Sequence, residues 1–129
     1  MMYFKKGGYT MFVELCKSKI GNAFVTEKSL HYEGSISISE DIAEKALLYP
    51  DEKVLVINVN NGERFETYVI IGERGKGIIG LNGGAARKGE IGDELIVLSF
   101  AMYDEEEAKK QKMLVLRLKE GNTLPDADS

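Results

Sequence analysis

Among 129 residues there are one cysteine, one histidine, two prolines and no tryptophan. Cys16 has no partner for an internal disulfide, which suits a reducing compartment. His31 alone cannot supply a histidine-rich zinc site, a Cys-His dyad would need both single residues, and no G-x-S-x-G elbow is present. Basic charge is not in excess: 17 Lys+Arg against 21 Asp+Glu leave a net charge of −4, whereas a phosphate-tracking protein gathers cations. Long apolar runs are missing too, none nearing the ~18–20 residues of a membrane span. Lys5-Lys6 has the charge of a signal-peptide start, yet Gly7-Gly8 and Glu14 interrupt any apolar region and no small-residue cleavage site follows. The expectation is a soluble, cytoplasmic chain without a metal, a nucleic-acid partner or a membrane.

What is present supports one core. The chain is 43% hydrophobic and 29% charged, and its length falls within the ~100–150 residues of a single domain. Fourteen glycines and short apolar runs point to many strands joined by tight turns. Strands are expected around Lys19-Ile20 and Ala23-Phe24-Val25, and over 35–38, 53–59, 63–71, 78–81, 95–101 and 113–118. Asn60-Asn61-Gly62 between two β-branched runs predicts a tight hairpin. Ser39 before Glu40-Asp41 offers an N-cap hydroxyl for a helix over about 40–48, with Ile42, Ala43, Ala46 and Leu47 at helical spacing. A second helix is expected over 102–110, where Glu105/Lys109 and Glu106/Lys110 stand at i,i+4. Residues 1–10 read as a flexible extension, 11–118 as the domain and 119–129 as a polar tail.

Two glycine motifs differ in weight. Gly75-Lys76-Gly77-Ile78-Ile79-Gly80 satisfies G-x-G-x-x-G, but a β-branched strand stands where a phosphate site needs a helix N-terminus, so it reads as a turn. Gly34-Ser35 closes the turn Leu30-His31-Tyr32-Glu33-Gly34. A hydroxyl beside an unhindered glycyl carbonyl is the local geometry of a self-cleaving peptide bond, although most Gly-Ser pairs are ordinary turns.

Context comes from four stretches in fixed order: Lys19-Ile20, His31-Tyr32-Glu33-Gly34-Ser35, Asn60-Asn61-Gly62-Glu63-Arg64-Phe65-Glu66-Thr67-Tyr68, and Leu81-Asn82-Gly83-Gly84-Ala85-Ala86. Together they resemble the bacterial aspartate 1-decarboxylase family over residues 11–118. The resemblance implies a mainly β fold, a double-psi β-barrel with short helices, assembled as a homotetramer with active sites between subunits. It also implies that L-aspartate is converted to β-alanine for pantothenate biosynthesis. Cleavage would fall between residues 34 and 35: Ser35 Oγ attacks the Gly34 carbonyl, the ester eliminates to dehydroalanine, and hydrolysis leaves a pyruvoyl group. That ketone forms a Schiff base with the substrate amine and accepts electrons as carbon dioxide leaves, so the resemblance implies neither a metal nor pyridoxal phosphate. The plainer alternative keeps Ser35 as an intact strand residue.

The same resemblance distributes roles, each beside a plainer one. Thr67 would hydrogen-bond near the Gly34 carbonyl during cleavage, or be a β-branched strand residue. Arg64 would hold the substrate's retained side-chain carboxylate, since pairing the departing one would stabilise the ground state; otherwise it is a solvated hairpin charge. Tyr68 would be the proton donor, or an aromatic packing residue. Lys19 would bind substrate, or simply guard a strand edge. Asn82, Gly83, Gly84 and Ala85 would offer donors where small residues let a ligand approach. His31 stands between a processing role and a turn contact. Arg64, Glu66 and Tyr68 share one face of a period-two strand and Thr67 the other, so such a site must use both faces or two subunits.

The sequence departs from the family in three places. Gly21-Asn22 stands where His-Arg is usual, Gly84 where alanine is usual, and ten residues precede Met11. A second reading is therefore an uncleaved, non-catalytic oligomeric β-barrel that binds a ligand. A third keeps the chemistry but changes the acidic substrate, to glutamate or a sulfinate analogue.

Overall fold

Alternating burial shapes the strands. In the computed structural model residues 2–5, 8–31 and 33–126 are described, with side chains from residue 10 onward. The elements in order are β1 (Met2–Lys5), β2 (Gly8–Phe24), β3 (Glu27–Ser29), β4 (Ser35–Ser39), α1 (Glu40–Lys45), β5 (Lys53–Asn58), β6 (Arg64–Gly72), β7 (Ile79–Asn82), a 3₁₀ turn (Gly83–Lys88), β8 (Glu94–Asp104), α2 (Glu105–Lys110) and β9 (Leu114–Arg117). The fold is mainly β with short helices, as expected. Along β5, Val54, Val56 and Asn58 are buried while Lys53, Leu55 and Ile57 face outward, the period-two pattern of a strand with one face on a core. No described helix is long and apolar enough to cross a membrane.

The strands follow one path, β1-β2-β8-β5-β6-β4-β7-β3, with β9 parallel to β2. β4 lies parallel to β6 and antiparallel to β7, and β3 is parallel to β7. Ile20, Ile36, Ile38, Val56, Val69, Ile79, Leu81 and Val97 fill the interior from these strands. Full burial of each such side chain contributes roughly 1.5–3 kcal/mol, so the core draws on nearly every strand.

Local chemistry moves several expected boundaries. α1 stops at Lys45, because Leu47 turns left-handed (φ 60°) in a Schellman ending. Its bonds are Leu48 N–H to the Ala43 carbonyl (2.8 Å) and Leu47 N–H to Glu44 (3.1 Å). That reversal leaves Leu47 53% exposed and puts Leu48 in the core instead. Ser39 stands at the N-cap as expected, but its hydroxyl does not cap the helix; Oγ accepts from Ile78 N–H at 2.8 Å instead. β8 runs on to Asp104, so α2 begins at Glu105 with a capping box between Asp104 and Glu107. The i,i+4 pairs expected there give way to one i,i+3 pair, Glu106–Lys109 at 3.4 Å.

The hairpin at Asn60-Asn61-Gly62 is present but wider than a two-residue turn. Asn58 N–H donates to the Glu63 carbonyl at 2.8 Å, and only Gly62 in that trio takes positive φ (77°). Gly75 and Gly77 (φ 78° and 63°) form the turn expected of the G-x-G-x-x-G stretch. Where residues 1–10 are described they pair as β1 with the start of β2, Met2 opposite Met11. In the stretch read as a polar tail, Asn122 is buried and clasps the chain. Its side chain accepts from Phe24 N–H at 2.9 Å and donates to the carbonyls of Phe24 (2.8 Å) and Gly77 (2.9 Å).

Candidate active site

Ser35 opens β4, and its partner across the antiparallel register is Asn82, the last residue of β7. Ser35 is fully buried. A buried hydroxyl needs a partner, and the Asn82 amide nitrogen donates to Ser35 Oγ at 2.8 Å and to Ser37 Oγ at 2.9 Å. Strand periodicity places Ser35 and Ser37 on one face, so one amide orders both hydroxyls. Ser35 Oγ also lies 3.5 Å from the Glu33 carbonyl, the limit of a hydrogen bond.

The neighbouring glycine lies in the opposite environment. Gly34 is exposed, and a Cβ built on it would touch nothing within 4 Å. It faces a cleft of about 350 Å³ also lined by Phe65, Glu66, Thr67, Gly84 and Ala85. The Gly34-Ser35 bond thus joins an open position to a closed one. His31 is exposed on the preceding turn, and Tyr32 lies outside the described residues.

Asn82 ends β7 in extended conformation (φ −115°), and Gly83 then takes φ 61° to enter the 3₁₀ turn. Glycine meets that φ without a Cβ penalty. Gly84 is exposed with nothing near its missing Cβ, so the alanine usual in the family would fit without displacing an atom. The hairpin is fastened to this turn. Asn58 donates to the Lys88 carbonyl (3.1 Å) and the Asp93 carboxylate (2.9 Å), and Asn61 donates to the Lys88 carbonyl (2.9 Å). The Asn58 amide, with Glu90 N–H second, holds the Asp93 carboxyl below its ordinary range.

The remaining expected site residues lie elsewhere in the chain. Arg64 begins β6, opposite Ile57, and is exposed. Tyr68 is half-buried opposite Lys53, and with Lys53 it lines an adjoining cleft of about 290 Å³ that shares Glu66 and Thr67 with the Gly34 cleft. Neither side chain has a hydrogen bond or ion pair among the described residues. Lys19 sits on β2, and the register Lys19–Leu98–Leu55–Glu66 puts three strand intervals between it and β6. One chain therefore gathers Gly34, Ser35, Thr67, Asn82, Gly84 and Ala85, and leaves Arg64, Tyr68 and Lys19 outside that cluster. Among the described residues no three His, Cys, Asp or Glu side chains converge as metal ligands.

The aspartate decarboxylase family profile matches residues 11–125, which include this whole cluster. The chain belongs to that family. An aspartate 1-decarboxylase from Parabacteroides distasonis is 57% identical over 106 residues, covering 82% of this chain and 91% of the relative. Those of Chlorobium limicola (53% over 112 residues, 87% and 88%) and Coxiella burnetii (53% over 105 residues, 81% and 95%) are similar throughout. As a member of the family the chain is a carboxy-lyase. Its match extends past 118, in keeping with the packed Asn122.

Ser37 was missed from the sequence although period two already pairs it with Ser35. Phe65 and Lys88 were missed as well; both line the Gly34 cleft, and Lys88 is tied to Glu63 at 3.2 Å.

Proposed function

We propose that the chain cleaves itself between Gly34 and Ser35 and then decarboxylates L-aspartate to β-alanine. The observation that carries this reading is the junction itself, an open glycine followed by a buried serine whose Oγ is held by Asn82. Ser35 Oγ attacks the Gly34 carbonyl carbon, and the Gly34–Ser35 C–N bond breaks as the Ser35 nitrogen takes a proton, giving an ester. Loss of the Ser35 α-proton expels the Gly34 carboxylate and leaves dehydroalanine. Addition of water and release of ammonia turn it into a pyruvoyl group. Thr67, which lines the same cleft as Gly34, would hydrogen-bond the oxygen on which charge develops.

The residues around Ser35 fit such a group: it needs no more room than serine, and the Asn82 amide offers a donor for a carbonyl oxygen. When formed, it supplies a ketone that takes up the substrate amine and an electron sink for the departing carboxylate. Arg64 holds the retained carboxylate through its guanidinium fork. Tyr68 returns a proton to the carbon that lost carbon dioxide. Lys19 adds a cation for the dicarboxylic substrate. These three reach a Ser35 cluster across a subunit boundary: within one chain Arg64 is exposed, Lys19 lies three strand intervals from β6, and Tyr68, next to Thr67, opens on the neighbouring cleft. Exposed Phe100, Met102 and Val115 on the outward faces of the strands favour such assembly. The homotetramer, closure of the sheet as a double-psi barrel, a cytoplasmic setting and a place in pantothenate biosynthesis belong to the same reading.

Intact mass spectrometry tests it. Purified protein should resolve into residues 1–34 and 35–129, the latter lighter by one ammonia than a serine-ended chain with the ketone oxygen counted in place of the hydroxyl. Ser35→Ala should stay full length and show no turnover. Wild-type protein that remains intact after prolonged incubation would sink the proposal.

A further inference from the structure

β2 and β9 run in parallel register with Lys19 opposite Val115 and Gly21 opposite Arg117. Ile20 and Leu116 between them point into the core, so Lys19, Val115 and Arg117 share the outward face. Gly21 contributes no side chain there, and the only atom a Cβ would meet is Arg117 Cγ at 3.8 Å. Arg117 and Lys119, with Val115 and Pro125, line a cleft of about 340 Å³.

These cations are unneutralised. Among the described residues the side chains of Lys19, Arg117 and Lys119 have neither ion pair nor hydrogen bond; six other Lys and Arg side chains are likewise unpaired, but none of those stands on β2 or β9. In a chain of net charge −4, three free cations around one strand pair form a local anion-attracting field. From strand spacing and rise, the Lys19 and Arg117 backbones are about 8 Å apart, within reach of one small dicarboxylate. Of the three, only Arg117 carries the planar fork that matches a carboxylate with two parallel hydrogen bonds.

We infer that Arg117 is a further substrate-binding residue, a carboxylate fork beside Lys19 with the space over Gly21 as its approach. The inference deepens the proposed function, since it rests on Lys19 facing substrate. Succinate, a dicarboxylate without an amine, is the probe: calorimetric titration of the processed protein gives its Kd, and aspartate turnover gives KM and kcat. Arg117→Ala should raise succinate Kd and aspartate KM about tenfold, with kcat and Gly34 cleavage near wild type. Arg117→Lys should recover part of the loss, keeping the charge but not the fork.

Unchanged Kd and KM in Arg117→Ala, while Lys19→Ala raises both, would overturn the role of Arg117 and leave that of Lys19 standing. If both variants bind and turn over like wild type, both assignments fall. A fall in kcat at constant KM in Arg117→Ala would also overturn it, because a binding residue acts on KM.

Discussion

At the β4–β7 corner the polar groups around Ser35 are already engaged within the chain, one Asn82 amide serving two serine hydroxyls. On β6, Arg64 and Tyr68 present a guanidinium and a phenol that have no partner among the described residues. Under the proposed function, the difference follows from what each region must do. An acyl shift from Gly34 to Ser35 is intramolecular, so its groups gain from being held in place beforehand. Groups that must take hold of an incoming molecule have to be left without partners, at some cost to the free protein.

Deleting the phenol hydroxyl should separate the two regions most sharply. Tyr68→Phe keeps the ring and its packing, so cleavage at Gly34 should survive while turnover falls by about 10²-fold or more. A larger share of the remaining turnovers should end in a fragment whose first residue has become alanine, visible by mass, because the proton then lands on the chain's own carbon. Wild-type turnover with no such fragment would make Tyr68 a packing residue.

Arg64→Ala should have a smaller effect confined to the outer face. Loss of a charged bidentate contact of roughly 1.5–3 kcal/mol raises KM for aspartate about tenfold or more, with Ser35 still converted. Arg64→Lys should rescue it in part. Unchanged kinetics across both substitutions would place the carboxylate elsewhere.

The smallest effect concerns the staple between hairpin and 3₁₀ turn. Asp93 has its folded-state pKa lowered, chiefly by the Asn58 amide. A depressed carboxylate pKa contributes stability that is present above the unfolded value and lost as pH falls through the folded one. Melting temperatures from pH 7 down to below pH ~4 should therefore drop more steeply for wild type than for Asp93→Asn, which keeps an acceptor but does not titrate. Parallel curves would show that the carboxylate charge is irrelevant to the staple.

Much of this was legible in the sequence because strands advertise themselves by period and glycine by position. The alternation in 35–38 and the β-branched runs around Asn60-Asn61-Gly62 located β4, β5 and β6, and four short stretches sufficed to indicate the family. Helix ends were harder to read. Leu47 and Leu48 are equally apolar, and a left-handed residue decides which of them faces the core. Ser39 has the composition of a cap, yet the neighbouring Ile78 N–H claims its hydroxyl. The Ser35–Asn82 bond crosses 47 positions of sequence, and only the pairing of β4 with β7 brings the two together. Arg117 escaped notice because nothing local marks it; its meaning comes from Gly21 on a parallel neighbour.

Full burial of residue 35 has a consequence for how this enzyme has to be made. A separate polypeptide whose first residue is Ser35 would place an α-ammonium in the interior, where an unpaired charge is costly. The proposed reaction avoids that penalty, since the nitrogen leaves as ammonia only after the fold has formed. The proposed cut would fall between β3 and β4, so the first piece would still hold β2 between β8 and β9, and β3 against β7. The working molecule would then be a nicked protein whose two pieces are kept together by ten paired positions of β2 on β8 and by the parallel ladders flanking them.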